Sequence, residues 1–95
     1  MFETYFHPAF RKDLKKLDRA TKEFFRNQVL PKVTRHPSLG LPLTGAFRNL
    51  SKFEFHYKGV SYRLIYELNQ RHNRLYYLAL GPRGEIYKIL ARRLG

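Results

Sequence analysis

The chain opens on alternation. Phe2, Thr4 and Phe6 fall on one side of an extended backbone and Glu3 and Tyr5 on the other, which predicts a short strand over residues 2–6. His7-Pro8 ends it, and Pro8 suits the first turn of a helix, where a missing N–H costs nothing. The period then becomes helical: Phe10, Leu14 and Leu17 recur at i, i+4 and i+7 among Arg11, Lys12, Asp13, Lys15 and Lys16. Asp18 is placed to cap a second helix from Arg19, whose apolar positions are Ala20, Phe24, Phe25, Val29, Leu30 and Val33. Pro31 cannot donate to the carbonyl of Asn27, so this helix is expected to kink or end early, and His36-Pro37 stops it. So short a connection folds the two helices into an antiparallel hairpin.

Residues 37–50 are rich in Pro, Gly, Leu and Ser without a sustained period and read as a loop. Alternation returns with Phe53, Phe55 and Tyr57 against Glu54 and His56. Tyr62 to Asn69 and Arg74 to Leu80 are nearly continuous in apolar and aromatic residues, as expected of central strands buried on both faces. Gly81-Pro82-Arg83-Gly84 ends the sheet, and residues 85–94 read as a short helical tail. The expectation is one α+β domain over residues 1–95, ordered β-α-α-β-β-β, with the helical hairpin packed on an antiparallel sheet.

Charge changes the picture most. Against 19 Lys+Arg stand 7 Asp+Glu, a formal net charge of +12, more one-sided than solubility requires. Such a field draws in polyanions, and RNA is the expected partner. There is no cysteine, which excludes disulfides, thiolate metal sites and a cysteine nucleophile. Neither a membrane-spanning apolar run nor a leader is evident, so a cytoplasmic protein is expected. The histidines lack metal-ligand spacing, and neither a metal nor a cofactor is expected.

The strands also suggest where chemistry sits. A four-residue loop over 58–61 would pair Tyr57 with Tyr62 and set His56 opposite Arg63. A four-residue loop over 70–73 would pair Asn69 with Arg74 and set Arg63 opposite Leu80. Glu54, His56 and Arg63 then share one face, with Arg83 and Tyr87 close by at the end of the sheet. Arg63 is a cation within an apolar strand and must meet an anion: Glu54 or Glu67 in a structural pair, or a phosphate, which its planar fork fits.

Tyr62-Arg63-Leu64-Ile65-Tyr66 resembles the central-strand motif of the RelE/ParE superfamily of toxins from toxin–antitoxin systems. Gly81-Pro82-Arg83-Gly84-Glu85-Ile86-Tyr87 resembles the segment after that family's last central strand and favours the RelE branch. The resemblance implies a ribosome-dependent endoribonuclease that cuts mRNA in the A site without a metal and is neutralised by a cognate antitoxin. It gives Arg63 and Arg83 to the scissile phosphate and Tyr87 to the reaction. Where well-known RelE members carry two lysines on one strand face, this chain has Glu54 and His56. His56 or Tyr87 would then move the proton, with Glu54 as base or as the group that holds His56 in one tautomer. Lys52, Lys58, Arg92 and Arg93 are expected to bind RNA. The alternatives are a ParE-like inhibitor of DNA gyrase and a member that only binds RNA or antitoxin.

Overall fold

The computed structural model describes residues 2–95. Strand β1 (Glu3–Phe6) leads into helix α1 (Phe10–Lys15). Helix α2 (Arg19–Phe24) follows, then a π-helical stretch Phe25–Val29 and helix α3 (Leu30–Arg35). Asp18 caps α2 as its position predicts, accepting from the Thr21 N–H at 2.7 Å; the Thr21 side chain first, and this backbone bond second, hold its carboxyl below the ordinary carboxylate range. The interruption expected of Pro31 takes a particular form. The helix runs on to Arg35, and the π turn widens the ladder just before the residue that has no N–H to give.

The segment expected to be loop contains two 3-10 turns and a two-residue strand, β2 (Leu41–Pro42), antiparallel to the outer edge of β3 (Ser51–Tyr57). Pro42 donates nothing to a ladder, which confines β2 to a sheet edge. Strands β4 (Val60–Asn69) and β5 (Arg74–Pro82) complete one sheet in the order β1-β5-β4-β3-β2. Central β4 buries Leu64, Ile65 and Tyr66 completely. The β3–β5 meander is antiparallel as expected, whereas β1 lies parallel to β5, Glu3 beside Arg74 and Phe6 beside Tyr77, so the sheet is mixed.

Two details of register differ from expectation. Lys58 (φ 52) and Gly59 (φ 79) both adopt the left-handed conformation and form a two-residue turn, so Tyr57 pairs with Val60 and Glu54, not His56, lies opposite Arg63. The shift is by two residues, and the face each side chain occupies is preserved. Between β4 and β5 the pairing begins as expected at Asn69 and Arg74, then slips by one at Ile65/Tyr66, placing Arg63 opposite Gly81 instead of Leu80.

The sheet is covered on both faces. One core packs Phe10, Phe25, Val29 and Val33 of the helices against Phe55, Leu64, Tyr66, Leu75, Tyr77 and Leu80. The C-terminal segment is not a tail: helix α4 (Ile86–Leu94) buries Ile86, Ile89 and Leu90 on the opposite face, against Ile65, Leu78 and Ala79. Gly81 permits the approach of α4, since a Cβ there would stand 3.0 Å from Ile89 Cδ1. No helix among the described residues is long and apolar enough to cross a membrane.

The slip in β5 occurs just where β1 ends, so Leu78 O and Leu80 N need other partners. Arg93 Nη1 donates to Leu78 O at 2.9 Å, and Leu80 N donates to Asp13 Oδ2 at 2.9 Å. Arg93 and Asp13 then close on each other through two bonds, 2.6 and 3.0 Å, with their side chains 9% and 1% exposed. An ion pair this buried and this fully hydrogen-bonded ties α1 to α4 around the edge of β5. Expected to bind RNA, Arg93 instead spends its guanidinium inside the fold.

Candidate active site

The site is built on the face of β3, β4 and β5 that α4 covers only in part. Glu54 and His56 alternate with Phe53 and Phe55, which pack in the helix-side core, and with Tyr57, which stacks on Phe24, so they point away from the helical hairpin. Ser61 and Arg63 stand on the same face of β4, paired with His56 and Glu54 across the ladder. Arg83 follows β5, its N–H bonded to Ser61 O at 2.9 Å. Tyr87 enters from the first turn of α4 and is 40% exposed.

Arg63 is 8% exposed and held from two sides. Its Nε donates to Glu54 Oε1 at 3.2 Å, and its Nη1 donates to Tyr87 Oη at 2.6 Å with the Tyr87 ring 5.5 Å from the guanidinium carbon. Cation–π contact and hydrogen bond together fix the guanidinium plane. Of the two carboxylates weighed from sequence, Glu54 is the one that meets Arg63; Glu67 accepts instead from Asn49 at 3.2 Å.

Glu54 is the hub. Its second oxygen accepts from Ser61 Oγ at 3.1 Å and lies 3.4 Å from His56 Nε2. The Arg63 hydrogen bond, then that of Ser61, holds the Glu54 carboxyl below its ordinary range, and the charge of Arg83 adds to this. A carboxylate so stabilised is a poor proton acceptor and a good orienting group. His56 presents 71% of its side chain to solvent beside it. Ser61 was missed in the sequence reading, because the four-residue loop assumed there removed it from the ladder.

The remaining candidates divide. Lys52 lies on the same face as Glu54 and lines a cleft of about 360 Å³ with Thr44, Phe47 and Tyr87. Lys58 sits in the β3–β4 turn over the Tyr57 ring, on the side of the helical hairpin, where it lowers the Asp18 carboxyl further. Arg92 and Arg93 stand in the last turn of α4. The structure therefore gathers Lys52, Glu54, His56, Arg63, Arg83 and Tyr87 and leaves out Lys58, Arg92 and Arg93. No cluster of three or more histidine or acidic side chains suited to a metal occurs among the described residues.

Comparison with known proteins agrees with this architecture. Residues 4–91 match the family model described as the ParE-like toxin of type II bacterial toxin–antitoxin systems. No curated protein matches the chain in sequence. The toxin–antitoxin complex RelBE2 of Mycobacterium tuberculosis contains a similar chain, with TM-score 0.70 at 23% identity over 86% of this chain and 98% of that one. The isolated RelE toxin of E. coli is similar over the full length of both chains, with TM-score 0.68 and 20% identity. The archaeal RelE–RelB complex of Pyrococcus horikoshii gives TM-score 0.59 at 22% identity, covering 87% of this chain and 96% of that one. At these identities the likeness is one of fold.

Proposed function

This chain belongs to the ParE-like toxins of type II bacterial toxin–antitoxin systems, and from that premise we propose that it is an endoribonuclease that cuts mRNA on the ribosome. The observation that carries the reading is the buried Arg63 clamped between Glu54 and Tyr87, with Arg83 beside it at the end of the sheet. A guanidinium fixed in advance, beside a second arginine that is exposed, suits a phosphate whose charge grows during reaction.

In this reading a ribose 2′-oxygen attacks the adjacent phosphorus, the new O2′–P bond forms and the P–O5′ bond breaks. Arg63 and Arg83 bear the charge on the non-bridging oxygens. His56 takes the 2′-hydroxyl proton, and Glu54 orients both His56 and Arg63. Tyr87 Oη accepts from Arg63, which leaves its own proton directed away from the guanidinium and available to the departing 5′-oxygen. The products are a 2′,3′-cyclic phosphate and a 5′-hydroxyl end. A cognate antitoxin protein is the expected inhibitor, since similar chains are found in complexes with RelB. Ribosomal RNA is the expected docking surface for a chain of net charge +12.

The test is induced expression without antitoxin, with protein synthesis followed by labelling and mRNA 5′ ends mapped. Translation arrest with new 5′-hydroxyl ends inside reading frames, lost in Arg83→Ala and in Tyr87→Phe, is the expected result. Continued translation accompanied by DNA breaks would reject it in favour of gyrase poisoning.

A further inference from the structure

A second cationic feature lies outside the catalytic cluster. Between α1 and α4, over the part of β5 that β1 does not reach, two adjoining concavities of about 470 and 340 Å³ share Asp13, Lys16 and Ile89. They form one groove. Its walls carry Lys12 from α1, Lys16 just after that helix and Arg92 from α4, all exposed, with His7 at the far end. Toward its near end the floor is apolar, built by Leu17, Tyr62, Leu80 and Ile89, and Ile89 carries it into the half lined by Lys12 and Arg92. At its near end the groove is bounded by Pro82 and Glu85, the residues that flank the Arg83 turn of the catalytic site.

The charge of this groove is unbalanced. Asp13, its buried acid, is already engaged by both terminal nitrogens of Arg93 and by Leu80 N. His7 Nδ1 accepts from Ala9 N at 3.0 Å, so the ring's other nitrogen carries the proton and is a donor. Glu85 alone stands against Lys12, Lys16 and Arg92. Cationic walls that run on into an apolar floor, joined through Lys16 and Ile89, match a single nucleic-acid strand, with phosphates on the walls and base faces on the floor. A duplex buries its base faces and has no use for such a floor.

We propose that this groove holds the phosphodiester backbone of the single-stranded RNA running away from the scissile position, so that Lys12, Lys16 and Arg92 determine how tightly a long strand binds. This rests on the ribonuclease reading for the position of the cut, whereas the binding itself is measured separately.

The probes are 2′-O-methyl oligouridylates of three and twelve nucleotides, which cannot be cleaved. Binding to the full-length chain is compared with Lys12→Ala/Lys16→Ala/Arg92→Ala and with Arg19→Ala/Arg26→Ala/Arg71→Ala, which removes equal charge from exposed positions elsewhere. The twelve-mer is expected to bind wild type at least tenfold more tightly than the trimer. The groove variant should lose most of that gain while the control keeps it. Three phosphate contacts at about 0.7 each predict a fall of about two in the slope of log K against log salt. Equal losses in the two triple variants would reduce the effect to net charge and overturn the proposal, as would a gain that survives the groove variant. If Arg63→Ala leaves trimer binding unchanged, the catalytic assignment fails while the groove stands or falls on the twelve-mer.

Discussion

Replacing Glu54 by glutamine keeps the shape of the site and removes the negative charge from between Arg63, His56 and Arg83. In the structure that charge occupies the neighbourhood a substrate phosphate would enter, and it is the anion that allows Arg63 to be buried. Two consequences follow. Glu54→Gln should bind the non-cleavable trimer several-fold more tightly while cleaving more slowly, because His56 and Arg63 lose their common anchor; unchanged affinity would deny that carboxylate and phosphate compete. In the wild-type chain the Glu54 carboxyl, held low by the Arg63 bond first, should titrate below the ordinary 4.5. The sign follows from linkage: a depressed folded pKa supplies stability above the unfolded value and loses it as the pH falls through the folded one. The side-chain carboxyl carbon resonance of Glu54, followed by NMR through the acid range, reads this directly, and a midpoint at or above 4.5 would contradict the clamp. Arg83 is different in kind. It is exposed and contributes a backbone bond that alanine retains, so Arg83→Ala should change stability by no more than about 0.5 kcal/mol.

At the level of elements, much was legible in sequence and the exceptions share a cause. Asp18 as cap, the two helices, β4 at the centre and the face shared by Glu54, His56 and Arg63 follow from local spacing, which needs no knowledge of partners. The Lys58-Gly59 turn had a local signal too, a glycine at the second turn position, but the polar stretch 58–61 invited a longer loop. The slip in β5, the parallel β1 and the burial of Asp13 had none, since each depends on where another strand stops. Arg93 was assigned to RNA for that reason: beside Arg92 in sequence it looks like one basic patch, and only the end of β1 at Phe6 creates the backbone gap that it fills with Asp13. Breaking this pair from one side leaves a buried charge and an unpaired backbone group. Asp13→Ala and Arg93→Ala should each cost about 3–5 kcal/mol in urea denaturation. A loss under about 1 kcal/mol would show that water replaces the pair. A second check comes from the helical layer, where Tyr77 is completely buried and hydrogen-bonded to Thr34 at 2.6 Å, and its phenol is pushed up to about 12 chiefly by burial. A raised folded pKa contributes stability that is fully present below the unfolded value near 10 and is lost as the pH climbs toward 12. Alkaline unfolding and the last phenolate absorbance should therefore appear together, and Tyr77→Phe should remove one phenolate from that step while Tyr66, also buried and raised by burial, stays in it.

Across the whole molecule, the seven acids are mostly committed to the fold: Asp13 to Arg93, Asp18 to the start of α2, Glu23 to Arg19, Glu54 to Arg63 and Glu67 to Asn49. The cations outnumber them, and the excess faces outward, around the site and along the α1–α4 groove. A field of net +12 repels itself in the compact state, so the folded chain bears an electrostatic cost that an anionic partner relieves. Stability and binding should therefore respond to salt in opposite directions. Raising sodium chloride from low to physiological concentration shortens the screening length from about 30 Å at 0.01 M to about 8 Å, which weakens the long-range repulsion. The buried Asp13–Arg93 pair is screened much less. Urea midpoints should rise over that range while oligonucleotide affinity falls. At a fixed low salt, a bound polyanion should stabilise in proportion to the logarithm of its concentration over its dissociation constant. If added salt lowered the midpoint instead, the surface ion pairs would outweigh the repulsion, and the positive charge could no longer be read as a cost that binding offsets.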